Sequence, residues 1–263
     1  MLPFTKGSIM KIELLHNFTF GKKGMEFFGL ANYKYLARRL VIDANTKNNI
    51  EIQYQEFYVS KKFNSRIQLI EFGVDVPPIL NKNYDSPIKI LYAGRGGPQK
   101  RVWLIDEIAG YFINRKSQVQ FQFAGPIENE LSSAVKDCAI VYGSIGSKDR
   151  MYQIFKECHA LLLTSAYEGF PMVIKEAMAN GCVPIVTALP GNLTHLNFHN
   201  SLLIQEINNE KLLVGEAVSL IEKLMDNKLL LEDLSINAFV YATQHFQKEQ
   251  FLQSYRSLLT THR

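Results

Sequence analysis

Cysteine is scarce. Cys138, Cys158 and Cys182 are the only three in 263 residues, so they cannot all pair and a disulfide scaffold is excluded. Each sits in or beside an apolar run, which reads as a reduced, buried thiol. None has a Cys or His neighbour at zinc-finger spacing, so a structural zinc site is not expected. Reduced thiols point to a cytosolic compartment. No apolar run reaches the roughly eighteen residues of a membrane span. The opening segment, MLPFTKGSIMKIELLHN, lacks a basic head followed by an apolar core, so no signal peptide is expected. Internal repeats and low-complexity tracts are also missing. An excess of one charge is nearly missing too, since 29 Lys and Arg face 25 Asp and Glu. A net +4 without a basic stripe speaks against nucleic-acid binding.

What is present is the composition of a globular protein, with 47% hydrophobic and 21% charged residues. The small charge excess lies in residues 1–80, which hold 11 Lys and Arg against 7 Asp and Glu. The pairs Lys22-Lys23, Arg38-Arg39 and Lys61-Lys62 read as a solvated surface, or as attraction for anionic headgroups or a phosphorylated acceptor.

From Pro87 onward, short apolar strands alternate with amphipathic helices. The expected strands are Lys89–Ala93, Val119–Ala124, Ala139–Tyr142, Ala160–Thr164, Val183–Thr187 and Leu202–Gln205. Near-continuous apolar runs of this length suit strands covered on both faces. Between them, residues 101–115 place Val102, Ile105, Ile108, Ala109 and Phe112 on one helical face, and residues 211–225 repeat the pattern. This alternation predicts an α/β fold, a Rossmann-like parallel sheet with helices on both faces.

Residues 1–80 read as an incomplete Rossmann-like segment. Strands are expected at Ile12–Leu15, Leu40–Ile42 and Ile67–Phe72, with helices around Tyr33–Arg39 and through Asn45–Tyr58. Pro77-Pro78 and the polar stretch to Pro87 resemble a linker. The expected divisions are thus 1–80, then 81–230 as a ligand-binding domain, then C-terminal helices at 231–263 packing back toward the first segment.

Ligands of open parallel sheets bind beyond the carboxyl ends of the strands. Three such ends carry chemistry here. The first is Gly94-Arg95-Gly96-Gly97-Pro98-Gln99-Lys100. A dinucleotide fingerprint would need glycine where Gln99 stands, and a Walker A loop would need Gly-Lys-Ser/Thr. What remains is two cations, Arg95 and Lys100, flanking a flexible loop, suited to a diphosphate or simply exposed to water. The second runs from Ser165 to Gly181. Pro171 is expected at the first helical position, leaving the N–H groups of Met172 and Val173 free for an anion. Glu168 lies before that helix and Glu176 inside it. On one continuous helix they would be about 12 Å apart, beyond the spacing of a glycosidase pair. Two carboxylates accepting hydroxyls from two parts of one ligand is the better reading. The third is the turn Gly143-Ser144-Ile145.

Together, Gly94-Arg95 with Lys100, Glu168-Gly169-Phe170-Pro171 and Lys175-Glu176-Ala177-Met178-Ala179 resemble the donor-binding half of a retaining GT-B glycosyltransferase of glycosyltransferase family 4. The resemblance runs from about Gly73-Val74-Asp75 to the C-terminal helices. It implies transfer of a sugar from a nucleotide diphosphate sugar to an acceptor hydroxyl, with retention, no cofactor and no required metal. Arg95 and Lys100 would then bind the diphosphate and stabilise the leaving group. Glu176 would hold the ribose, and Glu168 would lie by the donor sugar. Backbone groups of Gly169, Phe170, Pro171, Met172 and Val173 would contact sugar and phosphate, and Gly143, Ser144 and Ile145 would border the base. His16 ends a strand similar to the family's strand near the reaction centre.

By the same resemblance the acceptor is a saccharide or a lipid-linked one. The setting is surface polysaccharide or glycoconjugate synthesis in the cytoplasm, with peripheral association at the inner membrane face. Family members carry a complete first domain, of which residues 1–80 resemble the last part. The stretch Leu189–His195 departs from the family's paired glycines and glutamate. Two other readings stay open: a noncatalytic nucleotide-sugar-binding module, and another GT-B enzyme such as an epimerase or a phosphorylase.

Overall fold

A computed structural model describes residues 9–15, 24–85 and 87–260. The chain divides into two compact units, residues 1–72 with 249–263, and residues 73–248.

The first unit holds a parallel sheet of β1 (Ile12–Leu15), β2 (Arg38–Val41) and β3 (Ile67–Leu69), in that order. Its helices are α1 (Met25–Asn32), α2 (Ala44–Glu56) and most of α9 (Lys248–Thr260). Asp43 caps α2 by accepting the Thr46 N–H at 2.7 Å, which fixes where the helix begins. From α2, Ile50 and Tyr54 pack with Leu15, Val41 and Ile67. Leu258 of α9 packs with Leu40 and Ile70 in a second cluster. The helix expected around Tyr33–Arg39 is a correction. The segment splits into a single 3-10 turn, Tyr33–Tyr35, and the start of β2, because Arg38–Val41 pairs with β1 in the ladder. The preceding helix is α1, which ends at Asn32, directly before this turn. Arg39 is buried, ion-paired with Glu13, and donates to the Glu26 carbonyl at 2.8 Å. Burial holds the Glu13 carboxyl above its usual range, against the pull of Arg39.

The second unit is a six-stranded, fully parallel sheet, with β4 (Ile88–Ala93), β5 (Val119–Ala124), β6 (Ile140–Gly143), β7 (Ala160–Leu163), β8 (Val183–Thr187) and β9 (Leu202–Ile204). All six expected strands are present with ends shifted by two residues at most. Their order in the sheet is β6-β5-β4-β7-β8-β9, so the chain reverses its direction of travel between β4 and β7. Helices α3 (Val102–Asn114), α4 (Ser133–Cys138) and α7 (Glu210–Asp226) pack together. Helix α6 (Met172–Ala179) packs on α8 (Lys228–His245), and α5 (Lys148–Glu157) completes the set. The expected α/β fold with helices on both sheet faces is therefore found. Strands β7 and β8 are buried along their whole length, which is why their sequences are continuous rather than alternating.

The division between units falls after Phe72, not at residue 80, and α8 belongs with the second unit. Leu231, Leu234, Ala238 and Ala242 place one face of α8 in the core that contains β4 to β9. The polar segment before β4 is fastened to the same unit. Lys82 Nζ donates to the carbonyls of Phe155 at 2.9 Å and Asn180 at 2.8 Å, a cation set at the carboxyl ends of α5 and α6.

His159, beside β7, accepts the Lys89 N–H at Nδ1 and lies 2.8 Å from the Asn83 carbonyl at Nε2, which assigns the neutral Nε2–H form. Burial pulls its pKa down from 6.5 to about 4. A depressed histidine contributes stability that is present above the unfolded value and is lost as pH falls through the folded one. The melting temperature should therefore fall between pH 6.5 and 4, and His159→Gln should make that fall shallower. An equal slope in the variant would refute the assignment.

Candidate functional site

The reversal between β4 and β7 opens a crevice at the carboxyl ends of these strands, the place where open α/β sheets bind ligands. The Gly94–Lys100 loop follows β4, and the Thr164–Pro171 loop follows β7. The two loops are cross-linked at every level. Ala166 donates its N–H to the Gln99 carbonyl at 2.8 Å, and Gln99 Nε2 donates to the Tyr167 carbonyl at 2.9 Å. Thr164 Oγ1 donates to the carbonyls of Lys100 and Arg101, at 3.1 and 3.0 Å. At the outer level Lys100 Nζ is ion-paired with Glu168. Two residues proposed as ligand contacts thus already touch one another.

Arg95 is exposed, and its side chain forms no hydrogen bond or ion pair among the described residues. Its carbonyl is held by the Tyr92 hydroxyl, the chain's own hydroxyl from the end of β4. Burial, then the nearby Glu130 and Glu168, push the Tyr92 pKa well up, so this group stays a neutral donor. Glu130 also enters the glycine loop. Its carboxylate accepts the Gly97 N–H at 2.9 and 3.2 Å and lies directly against Gly96. A Cβ at position 96 would meet Glu130 Oε1 at 1.5 Å, so a side chain there would displace the Glu130 carboxylate. Glu130 was not legible as a site residue, because it lies 33 positions from its partner with no motif around it.

Pro171 is the residue capping α6, with extended φ −61° and ψ 135°, so the first helical residue is Met172, one later than expected. No side chain caps this end and no acidic residue lies in its first turn. The N–H groups of Met172 and Val173 therefore have no side-chain acceptor, as the anion reading requires. The Phe170 side chain is buried against His195 and Phe246, at ring-centroid distances of 4.5 and 5.7 Å. Only its backbone is available at the crevice. The departing stretch Leu189–His195 comes close by the same route. A Cβ on Gly191 would stand 1.7 Å from the Gly169 carbonyl oxygen, so only glycine permits this approach.

Glu176 lies one turn into α6 and lines a separate cavity of about 190 Å³ with Asp75, Lys148, Tyr152, Met172 and Lys248. Burial raises the Glu176 carboxyl pKa, opposed by Lys148. Asp75 is paired with both Lys148 and Lys248. Gly143, at φ +65°, accepts the Gly125 N–H at 2.8 Å, and Ser144 and Ile145 follow as an exposed and a half-buried residue. Gly125 in turn abuts Gly94, so the turn after β6 is tied through β5 to the loop after β4. His16 lies outside the described residues. A larger cavity, about 930 Å³, lies in the first unit beside Arg38, Lys47, Gln68 and α9. Among the described residues no three His, Cys, Asp or Glu side chains gather into a metal-binding group, and no helix is long and apolar enough to cross a membrane.

The sequence matches the model of a family described as glycosyl transferases group 1, over residues 79–240. No curated protein matches it. Among solved structures it is similar to S. aureus TarM in a complex with fondaparinux, alpha-GlcNAc-glycerol and UDP, with a TM-score of 0.75 and 17% identity over 95% of this chain and 51% of that one. It is also similar to Anabaena HepE in complex with UDP and glucose, with a TM-score of 0.77 and 14% identity over 95% of this chain and 71% of that one. A third is the lipopolysaccharide outer core galactosyltransferase WaaB, with a TM-score of 0.61 and 21% identity over 87% of this chain and 63% of that one. The α/β fold with parallel sheets matches GT-B glycosyltransferase structures. The chain spans about half the length of TarM.

The close approach of Gly125 to Gly94 yields a test. A Cβ there would meet the Gly94 carbonyl oxygen at 1.8 Å, on a backbone with φ +131°. Gly125→Ala should cost about 1–3 kcal/mol or more in denaturant unfolding. Gly110→Ala, inside α3 with nothing within 4 Å, should instead gain up to about 1 kcal/mol. Equal effects would show that the backbone contact is absent in solution.

Proposed function

The chain belongs to the glycosyl transferases group 1 family, and we propose that it carries the donor half of a retaining glycosyltransferase of family 4, a hexosyltransferase. The reaction is transfer of a sugar from a nucleotide diphosphate sugar to an acceptor hydroxyl. The observation that carries this reading is the pairing of the Arg95–Lys100 loop with the Glu168 loop and the uncapped start of α6, on the two strands where the sheet order reverses.

In this reading the diphosphate lies across Arg95, Lys100 and the N–H groups of Met172 and Val173. These groups stabilise the negative charge that grows on the leaving phosphate as the sugar bond breaks. Glu168, now paired with Lys100, turns toward donor-sugar hydroxyls. Glu176 accepts hydroxyl hydrogens from the ribose in its cavity, and the Gly143–Ile145 turn borders the base. Because two side-chain cations and a helix start supply the positive field, no metal is required. TarM and HepE complexes with UDP support a uridine nucleotide as the first to test. The name of WaaB, a lipopolysaccharide outer core galactosyltransferase, supports a surface-polysaccharide setting. The acceptor in this proposal is a saccharide or a lipid-linked one, met in the cytoplasm or at the inner membrane face.

Thermal unfolding with UDP, GDP, ADP and CMP at matched concentrations tests the site. At one hundred times its dissociation constant a ligand stabilises by roughly 2.7 kcal/mol, a rise on the order of 5–10 °C for a protein of this size. One nucleoside diphosphate should give that rise, EDTA should leave it unchanged, and Glu176→Ala and Lys100→Met should each reduce it. No rise with any of the four would overturn the donor-site reading. Sugar transfer or donor hydrolysis by this chain would remove the module reading.

A further inference from the structure

Arg101 closes the glycine loop in a conformation its residue type does not favour. Its φ of 50° and ψ of 50° lie in the left-handed region, yet it carries a long side chain that is only 6% exposed. Strain of this kind persists where surrounding contacts over-determine it. Here three contacts do so. The guanidinium donates from Nε to the Thr164 carbonyl at 2.7 Å, from Nη1 to the Ile207 carbonyl at 2.9 Å and from Nη2 to the Ser165 carbonyl at 3.2 Å. Thr164 returns the bond by donating its hydroxyl to the Arg101 carbonyl. One planar side chain therefore spans the loops after β4, β7 and β9. A lysine could not reach three carbonyls in one plane.

The charge is as informative as the geometry. Among the described residues no carboxylate lies within 4 Å of this guanidinium; Glu210 is the acidic residue whose field it feels. Burial lowers its pKa, but a guanidinium stays protonated. A buried cation satisfied by neutral carbonyls keeps most of its outward field. Its chain neighbour Lys100 is already paired with Glu168, and Glu130 sits on the Gly97 N–H. Without Arg101, the loop would present two cations against two carboxylates.

We propose that Arg101 is a positioning residue for the diphosphate: it locks the Lys100 and Glu168 loops together, and its buried charge makes the crevice net attractive to a phosphate chain that it does not touch. This rests on the donor-site reading above.

The test separates phosphate recognition from folding. Affinities of the full chain for uridine, UMP and UDP are measured for wild type, Arg101→Lys, Arg101→Met and Arg101→Gly, with a melting temperature for each. Arg101→Gly removes the side chain while suiting the backbone, so it guards against a Met variant that fails to fold. The expected result is uridine affinity within twofold of wild type, with UDP affinity down by about tenfold or more in Arg101→Gly and Arg101→Met. Arg101→Lys should fall between, since it keeps charge and loses the clamp. An unchanged ratio of UDP to uridine affinity in folded variants overturns the proposal. So does an equal loss for all three ligands, which is the mark of a merely structural brace. Wild-type protein that binds none of the three removes the donor-site reading as well, a result distinguishable from the first two.

Discussion

A parallel sheet buried on both faces ends in carbonyl groups that must find donors, and the way this unit satisfies them decides everything at its crevice. The carbonyls of Thr164 and Ser165, just past β7, are taken by Arg101. Ser165 also accepts from the Thr187 hydroxyl at the end of β8, and the Thr187 carbonyl accepts from Asn192. A chain of hydrogen bonds thus runs along the strand ends from the β4 loop to the β8 loop. Because each link is buried, breaking one leaves an unpaired polar group, so the loops move together or not at all.

That rigidity sets the charge arrangement before any ligand arrives. Lys100 and Glu168 sit opposite one another because the backbones beneath them are joined by Gln99, Thr164 and Ala166. Glu130 occupies the glycine-loop N–H of Gly97. Internal carboxylates hold the positions that an anionic ligand with hydroxyls would contest. In the proposed donor-site reading, an incoming diphosphate would replace one set of charge-assisted contacts with another, and its net affinity would depend on the cations left over, Arg95 and the buried Arg101.

How much of this was legible follows the range of the interaction. The six strands of the second unit could be placed because a doubly covered strand is a continuous apolar run, visible within four to six residues. The loops could be placed because glycine, proline and charge cluster at strand ends. The short helix in the first unit was misplaced, since the mixed pattern of Tyr33–Arg39 suits either state and only the ladder of β2 on β1 decides it. The break at Phe72 was missed because the Pro-Pro pair looked like the linker, while Val74 bridges Gln247 inside the second unit. Arg101 and Glu130 were invisible for another reason. Their partners lie 63 and 33 positions away, and one arginine after a lysine, or one glutamate in a polar loop, carries no periodicity.

Glycines show the same limit from the other side. The sequence marks Gly94, Gly96 and Gly97 as a flexible loop, a reading that fits many phosphate sites. In the fold, Gly97 takes a φ of +106°, which suits glycine, and two other glycines along the strand ends serve close approach. A Cβ on Gly125 would run into the Gly94 carbonyl oxygen, and one on Gly191 into the Gly169 carbonyl oxygen. Gly125 and Gly191 are needed because another segment's backbone occupies the place of a Cβ, which removes freedom rather than supplying it. A loop built this way is already ordered, so a ligand that fits it loses little to loop ordering. Gly125 and Gly191 do by close approach what Arg101 does in its strained conformation: they keep strand-end loops at fixed separation around one crevice.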